Sequence, residues 1–272
     1  SFKEGINFSE KHFLSIAIIL MGANIDVSIL DTNISNNIYL VIIIILVGLC
    51  SSFILGKIFK LSNALSFLIG IGNGVCGSSA IVSTSSIIKP KKEDIILSIS
   101  IINLLGAISI FLVPTVINFC YTGDIINQGI IIGSTIQAIG QVTAAGFMMG
   151  NEIGEIAVLI KMIRILMLVP ILLCLALFFS IYNYKMTKNI SFQLPYFIFG
   201  FLFIFIATSY NFIPLFIIPI IKIVSKYTLL LSMAAIGLNI SLKSIFNKGL
   251  QVFLVGLISF SLQIAVSIYL LS

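Results

Sequence analysis

Long apolar runs with almost no charge constrain this chain more than any other feature. Five of them lie at residues 37–56, 95–119, 165–182, 196–213 and 249–272. Each approaches or exceeds the ~20 apolar residues that a helix needs to cross a bilayer. They are continuously apolar, whereas a strand of a membrane barrel alternates apolar and polar residues. Since only 9% of the residues are charged, we predict a helical integral membrane protein.

Nine apolar segments follow one another with no soluble domain left over between them. They are residues 12–30, 37–56, 61–88, 94–119, 125–149, 153–182, 194–211, 214–242 and 249–272. We therefore predict an all-α polytopic bundle that forms a single transmembrane domain over residues 1–272, with about seven to nine spans. Because Ser1 is not an initiator methionine, we expect a processed or trimmed product.

The charged and sulfur-containing residues exclude several other classes of protein. The net charge of +6 comes from lysines in short loops, as in the cytoplasmic loops of membrane proteins, so it does not indicate a nucleic-acid partner. The cysteines, Cys50, Cys76, Cys120 and Cys174, are scattered singly, and His12 is the only histidine. Neither a zinc-ligand spacing nor a nucleophile–base pair results. We predict no disulfide scaffold, no metal site, no cofactor and no enzymatic activity.

The lysine-rich loops give an orientation, with one loop that fits poorly. They place the N-terminus and the loops after residues 56, 182 and 242 in the cytoplasm. The loop with Lys89, Lys91 and Lys92 also favours the cytoplasm, which would make residues 61–88 a re-entrant hairpin. By the same logic, residues 125–149 would re-enter from the outside. Loop charge favours these hairpins, and the alternative that stays open is two broken helices that cross completely.

A short internal repeat indicates an inverted-repeat design. Residues 22–27 (GANIDV) resemble residues 237–242 (GLNISL), and a polar turn and an apolar span follow each copy. The predicted topology runs the first copy outward and the second inward, so the copies would be antiparallel. Inverted repeats with broken helices near the midplane are typical of secondary transporters. The alternative is a chance match between two helix ends.

The strongest local pattern is a glycine-rich interruption of residues 61–88. Glycines open the helix, and a Ser-Ser pair can begin a new one. Unpaired N–H groups are costly in hydrocarbon, so the break must face protein, water or a ligand. The N-terminus of a half-helix presents N–H donors and a partial positive charge, which suits an anion. The candidate binding residues are Asn73, Gly74, Cys76, Gly77, Ser78 and Ser79. The alternative is a contact between helices lined by small residues, which is the better interpretation of Cys76.

A second interruption lies in residues 125–149. Its candidate binding residues are Ser134, Gln137 and Gln141. Gln137 and Gln141 are four residues apart and therefore share one helical face. Uncharged amides at this depth can bind a polar solute, or they can hydrogen-bond to neighbouring helices.

Lys161 and Arg164 are the most unusual residues of the apolar segments. Arg164 lies about eleven residues from the outer end of its segment, or roughly 16 Å along a helix. An arginine at this depth indicates a functional site, whereas Lys161 can also extend toward the membrane surface. The apolar spans offer no acidic partner except Asp26, near a helix end. We infer that the buried charge is positive and that the substrate supplies the negative charge, which argues against a sodium/proton exchanger.

Five blocks, in their order and spacing, resemble the sulfate exporter family of bacterial inner-membrane proteins, which is named for a provisional activity. The blocks are residues 76–81 (CGSSAI), residues 133–146, Lys161-x-x-Arg164, Pro195-x-Phe197 and residues 233–238 (MAAIGL). The resemblance implies a transporter distantly similar to sodium/proton antiporters and bile-acid symporters, with broken helices that cross the membrane.

This chain departs from the family pattern in two ways. Family members usually carry a histidine and an acidic residue where this chain has Gln137 and Ala138, so proton coupling at those positions is in doubt. They also usually have about two further N-terminal spans.

The sequence as a whole predicts a secondary transporter of a small anion, such as sulfate or an organic sulfonate, in the inner membrane. The predicted partners are that anion and the lipid bilayer, and a homodimer stays open. One alternative is a cation-coupled symporter or antiporter of another solute that uses Asp26 or Asn73. Another is a non-transporting membrane scaffold, for which unbroken, glycine-poor helices would be expected.

Overall fold

The part of this chain that the structure describes consists of helices joined by short turns. A computed structural model describes residues 2–24, 34–168, 170–175, 197–210, 212–214, 216–239 and 249–272. The α-helices are α1 (Phe2–Phe8), α2 (Leu14–Met21), α3 (Ile34–Ile58), α4 (Asn63–Gly74), α5 (Ser78–Ile88), α6 (Lys92–Cys120), α7 (Ile125–Thr135), α8 (Ile139–Met149), α9 (Asn151–Leu166), α10 (Phe197–Ser209), α11 (Ile218–Asn239) and α12 (Gly249–Leu271). These residues contain no strand, so the predicted all-α class is confirmed.

Four helical stretches of the described residues are long and apolar enough to cross a membrane. They are Ile38–Ile58, Lys92–Cys120, Asn151–Leu175 and Gly249–Leu271. The predicted multi-pass membrane protein is thereby confirmed. The predicted number of spans stays a prediction, because residues 176–196 and 240–248 lie outside the described residues.

The described helices group into two compact units. The first comprises residues 1–34 and 194–240, and the second comprises residues 35–193 and 241–272. Every residue of the predicted binding site belongs to the second unit. The single transmembrane domain predicted over residues 1–272 stays a prediction.

The first unit is built around α2, which packs against α10 and α11. The Ser225 hydroxyl donates a hydrogen bond to Ala17 O at 3.0 Å. A Cβ on Gly22 would lie 2.5 Å from Phe201 O, so the missing side chain allows close approach to α10. Both copies of the predicted repeat fall partly outside the described residues, as does Asp26.

In the second unit, α4 and α5 form a first hairpin. Laid end to end, these helices of 12 and 11 residues would be roughly 35 Å long. Ser62, the N-cap of α4, nevertheless donates its hydroxyl to Asp94 Oδ2, at the start of α6, at 3.2 Å. Only three residues separate α5 from α6. The end of α5 therefore lies near the start of α4, and the two half-helices lie side by side.

The helices α7 and α8 form a second hairpin, on which α9 packs. Ala157 of α9 lies against Gly133 of α7, where a Cβ would collide with Ala157 O, and against Gly146 of α8. Thirteen residues laid out as a straight helix span roughly 20 Å, so Gly133 and Gly146 could not both reach Ala157 from an end-to-end arrangement. In the described residues both segments therefore fold back as hairpins, whereas the family resemblance implied broken helices that cross the membrane. Re-entry into a bilayer stays a prediction.

The two hairpins enter the second unit from opposite ends of α6. The first hairpin begins beside Asp94, near the N-terminus of this 29-residue helix, and Gly72 packs on Ile102. The second hairpin follows the C-terminus of α6 directly, and Gln141 packs on Gly106. Since residues 102 and 106 are one helical turn apart, the closed ends of the two hairpins reach nearly the same level along α6.

The lysines of the second unit follow this arrangement. Five described lysines, Lys57, Lys60, Lys89, Lys91 and Lys92, lie at the end where the first hairpin enters. The described residues at the opposite end, 121–127 and 149–152, contain Asp124 and Glu152 and no lysine. The hairpin explains why the loop after α5 carries three lysines, since it returns the chain to the end where α3 finishes. By the positive-inside bias, we expect this end to be cytoplasmic.

A cross-linking experiment tests the first hairpin. In a variant without the four native cysteines, Ser62→Cys and Asp94→Cys should be joined efficiently by a short bifunctional thiol reagent, because these side chains are in contact. The matched pair Ser62→Cys and Thr122→Cys, at opposite ends of α6, should not be joined. Mass spectrometry of the peptides reads out both pairs. If the two thiols of the first pair each react with maleimide but never cross-link, the hairpin is wrong.

Candidate functional site

The closed ends of the two hairpins meet through a chain of buried amides. The first tip consists of residues 73–77 and the second of residues 136–138. Gln137 Nε2 donates to Asn73 Oδ1 at 3.1 Å, and Asn73 Nδ2 donates to Gly256 O of α12 at 3.0 Å. Asn73 and Gln137 are completely buried. The structure thus brings the two predicted breaks into direct contact, although 64 positions separate these residues.

Local sequence explains where each helix breaks. In the first tip, Gly77 has φ = +71°, a conformation that is strained for a residue with a Cβ. In the second tip, Ile136 and Ala138 are extended, with ψ of 144° and 147°, so helical hydrogen bonding stops after the N–H of Ile136. Gln141 Oε1 then accepts the N–H of Ala138, the N-cap of α8, at 3.0 Å. A glutamine at this position is a known helix-start signal.

Lys161 and Arg164 of α9 bind the backbone carbonyls of both tips. Lys161 Nζ donates to Val75 O at 2.6 Å and to Ile136 O at 2.7 Å. Arg164 Nε donates to Gly74 O at 2.6 Å, and its Nη1 donates to Ile136 O at 3.0 Å. Its Nη2 donates to Asn73 O. Both side chains are 0% exposed, and together they tie the first tip to the second.

These bonds satisfy the C-terminal end of α4. The N–H groups of Val75 and Gly77 donate to Ile71 O and Gly72 O, respectively. The next three carbonyls, those of residues 73–75, accept hydrogen bonds from Arg164 and Lys161. A helix C-terminus carries a partial negative charge, so a cation there is favourable.

The positive charge of the tips has no acidic partner within the described part of the chain. None of the buried polar side chains there is an aspartate or glutamate. Arginine has five N–H donors, of which three are directed to the tip carbonyls. Arg164 therefore makes its contacts to the protein backbone, and its predicted contact with a substrate stays a prediction.

The N-terminus of α5 presents N–H donors, whereas the C-terminus of α4 presents carbonyls. This helix begins at Ser78, and its first N–H groups have no partner within the helix. The Cys76 thiol lies 2.8 Å from the Ser79 hydroxyl, which also donates to Cys76 O at 3.3 Å. Cys76 is buried, whereas Ser78 and Ser79 are half-buried. This end offers N–H donors and small polar groups, which suit an anion.

Two other predicted residues have structural partners. Gln141 caps the start of α8 and packs where a Cβ on Gly106 would collide with it. Ser134 shares a hydrogen bond of 3.1 Å with Ser267 of α12, so its hydroxyl is engaged between helices. Ser134 thus hydrogen-bonds to a neighbouring helix, whereas the hydrogen bond of Gln141 lies within the start of its own helix. A direct role in binding stays a prediction.

One buried acceptor near the tips has no hydrogen-bond partner. Gln137 Oε1 makes no hydrogen bond within the described residues, although Gln137 is 0% exposed. Thr84 Oγ1 and Gln263 Oε1 are in the same state. Leaving a buried polar atom without a hydrogen-bond partner is costly.

A polar stripe on α12 was not predicted from the sequence. Its fully buried members, Ser259, Gln263 and Ser267, recur every four residues and face α3 and α7. Ser52 donates to Ser259 Oγ at 2.8 Å, and Gln263 Nε2 donates to Ile44 O at 3.1 Å. The signal was available, because polar residues at this spacing in an apolar span share one helical face.

No group of three or more histidine, cysteine, aspartate or glutamate side chains comes together in the described residues. The described cysteines are free, and of these only Cys76 is buried. The tips and the helix ends beside them therefore offer N–H donors, amides and small hydroxyls as binding groups, and Arg164 lies against them, bonded to their carbonyls. These groups can hold a small polar or anionic solute.

Comparison with known proteins places the chain among bacterial membrane proteins. The model of the family described as conserved hypothetical protein 698 matches residues 1–256. The chain belongs to this family.

Individual relatives agree with that membership. A UPF0324 membrane protein of Clostridium perfringens is 30% identical over 263 residues, which cover 94% of this chain and 77% of the relative. A UPF0324 membrane protein of Bartonella henselae is 33% identical over 256 residues, or 93% of this chain and 72% of the relative. No solved structure matches the chain. The predicted membership of a family of bacterial membrane proteins is thus confirmed, and the family match covers both tips, Lys161 and Arg164.

Proposed function

We propose that this chain is a secondary transporter of a small anion, which binds where the tips of the two hairpins meet. The observation that carries the proposal is a difference between the four half-helix ends at the tips, since only the two C-terminal ends have charged partners in the described part of the chain. Arg164 and Lys161 occupy the carbonyls at the C-terminal ends of α4 and α7. The N-terminal ends of α5 and α8 have no charged partner of this kind within the described residues.

This arrangement favours an anion over a cation. The carbonyls of a broken helix are the groups that would bind sodium, and here the side chains of α9 already bind them. The groups that stay available are N–H donors at helix N-termini, which attract negative charge. A buried arginine without a carboxylate partner adds to that attraction.

A helix break at this depth also supports transport over a purely structural role. Interrupted helices leave backbone groups that must be satisfied inside the membrane, and they are tolerated where they line a cavity or a binding site. Hairpins that enter from opposite ends and meet inside give the site a wall toward each side of the membrane. A scaffold gains nothing from two such interruptions, whereas alternating access requires a site between two barriers.

Uptake into proteoliposomes tests this function. The purified protein is reconstituted, and the uptake of labelled phosphate, sulfate and small sulfonates is measured with and without gradients of sodium or protons. We expect saturable uptake of at least one anion above the level of protein-free liposomes. Lys91→Ala, at an exposed position, serves as the control variant and should transport normally. If correctly inserted protein moves none of these anions under any gradient, the proposal is wrong.

A further inference from the structure

We propose that the anion bound at the hairpin tips is an oxyanion that carries its own hydrogen-bond donor, such as a P–OH, C–OH or N–H group. This inference rests on the proposed anion transport and names the chemical class of the substrate. It starts from Gln137 Oε1, the buried acceptor that has no partner in the described residues.

The hydrogen-bond network fixes the orientation of the Gln137 amide. Gly256 O can only accept, so Asn73 must direct its Nδ2 toward it and its Oδ1 toward Gln137. Asn73 Oδ1 can also only accept, so Gln137 must direct its Nε2 toward Asn73. The chain of amides therefore leaves Oε1 of Gln137, and not its Nε2, as the unpaired atom. A ligand or water that contacts it must be a donor.

The residue that carries this acceptor lies at the start of both helices whose N-termini attract anions. Gln137 directly precedes Ala138, the N-cap of α8. A Cβ on Gly77, the N-cap of α5, would lie 3.8 Å from the Cβ of Gln137, so the two residues are in contact. The N-terminal ends of α5 and α8 thus lie next to the residue that carries the unpaired carbonyl oxygen.

A site with N–H donors and one unpaired acceptor distinguishes anions by whether they carry a hydrogen-bond donor. Sulfate and simple sulfonates are acceptors only near neutral pH, so in this site one of their oxygens would face Gln137 Oε1 without a hydrogen between them. Leaving a buried polar group unpaired in this way weakens binding, as it does wherever a site is built for a partner that the ligand lacks. A protonated phosphate or phosphonate, or a sulfonate with an amino or hydroxyl group, satisfies both the N–H donors and the acceptor.

Two pairs of anions of equal shape test the selectivity. Hydrogen phosphate and sulfate are both tetrahedral dianions, and only the first has a hydroxyl. Methylphosphonate, below its second ionisation, and methanesulfonate are both monoanions, and again only the first has one. Titration calorimetry of the detergent-solubilised protein should give binding at least about tenfold tighter for the donor-bearing member of each pair.

A glutamine-to-methionine variant ties the preference to the acceptor. Gln137→Met keeps the length of the side chain and removes its carbonyl, together with the nitrogen that donates to Asn73 Oδ1, so the preference within each pair should disappear. Gln263→Met removes another buried glutamine whose Oε1 is unpaired, and the preference should persist. Equal affinities within both pairs in the wild-type protein, or a preference that survives Gln137→Met, would overturn the inference while the anion proposal stands. If none of the four anions binds, both are overturned.

Discussion

Replacing Arg164 by alanine is expected to abolish transport and to lower the melting temperature of the detergent-solubilised protein. The substitution leaves Asn73 O and Gly74 O without their donor and removes one of the two donors to Ile136 O. A hydrogen bond to a charged group contributes about 1.5–3 kcal/mol, so the free energy of unfolding should fall by at least about 3 kcal/mol. Because these carbonyls belong to both tips, the geometry of the site should be lost together with the stability.

Two further variants give an expected intermediate result and a control for Arg164→Ala. Arg164→Lys keeps the positive charge but offers one nitrogen in place of a planar fork, so it should keep part of both the stability and the transport. Lys91→Ala removes an exposed positive charge at the end of the same unit and should leave both unchanged. Thermal unfolding and proteoliposome uptake are measured on all three. A wild-type melting temperature for Arg164→Ala would show that the carbonyl contacts do not hold the tips.

Replacing Gln137 by glutamate is expected to abolish anion binding, because it adds a negative charge and also removes the amide that donates to Asn73 Oδ1. The two side chains have nearly the same shape, and the new carboxylate stands beside the N-caps of α5 and α8. A negative charge about 5 Å from a bound monoanion repels it by about 3 kcal/mol at an effective dielectric constant of about 20. This corresponds to a loss of affinity of more than about a hundredfold. Titration calorimetry with the anion that binds the wild-type protein measures it.

The same variant separates anion recognition from the cation-coupled alternative. A site that binds sodium should gain affinity from a new carboxylate, whereas an anion site should lose it. Gln128→Glu is the matched control, because Gln128 lies near the open end of the second hairpin, where its Nε2 donates to Gly123 O. It should bind the anion normally. Undiminished anion affinity in Gln137→Glu would move the binding site away from the tips.

The helical class and the two breaks could be predicted because their signals are local. Continuous apolar runs set the spans, and the glycines around Gly74 and the Ser78–Ser79 pair set one break. Loop charge also favoured hairpins, since Lys89, Lys91 and Lys92 must lie on the side where the chain entered. The family resemblance implied crossing helices instead, whereas the contact between Ser62 and Asp94 is that of a hairpin in the first segment.

The partners of the buried cations could not be predicted, because they are backbone atoms. Every residue has a backbone carbonyl, so the residue type does not indicate which carbonyl a cation will bind. The sequence therefore showed a lysine and an arginine without an acidic partner, and we inferred that the substrate supplies the negative charge. In the structure, Arg164 bonds to carbonyls 90 and 91 positions earlier in the chain. Contacts such as Ser134 with Ser267 depend in the same way on how distant helices pack, which no local pattern encodes.

The rate at which Cys76 is alkylated tests the central claim most directly, namely that the anion is held at the hairpin tips. Its thiol lies 2.8 Å from the Ser79 hydroxyl at the start of α5. In a variant with Cys50, Cys120 and Cys174 replaced by serine, only this thiol can react. At ten times the dissociation constant, a ligand occupies about nine-tenths of its sites, so a bound anion that covers Cys76 slows the reaction by up to about tenfold.

We therefore expect a small thiol reagent to label Cys76 slowly, and methylphosphonate at a saturating concentration to slow it several-fold further. Methanesulfonate at the same concentration controls for ionic strength and should have a much smaller effect. Calorimetry on the same sample establishes that the site is occupied. A labelling rate that stays the same when the anion is bound would contradict the account, because the anion would then lie elsewhere.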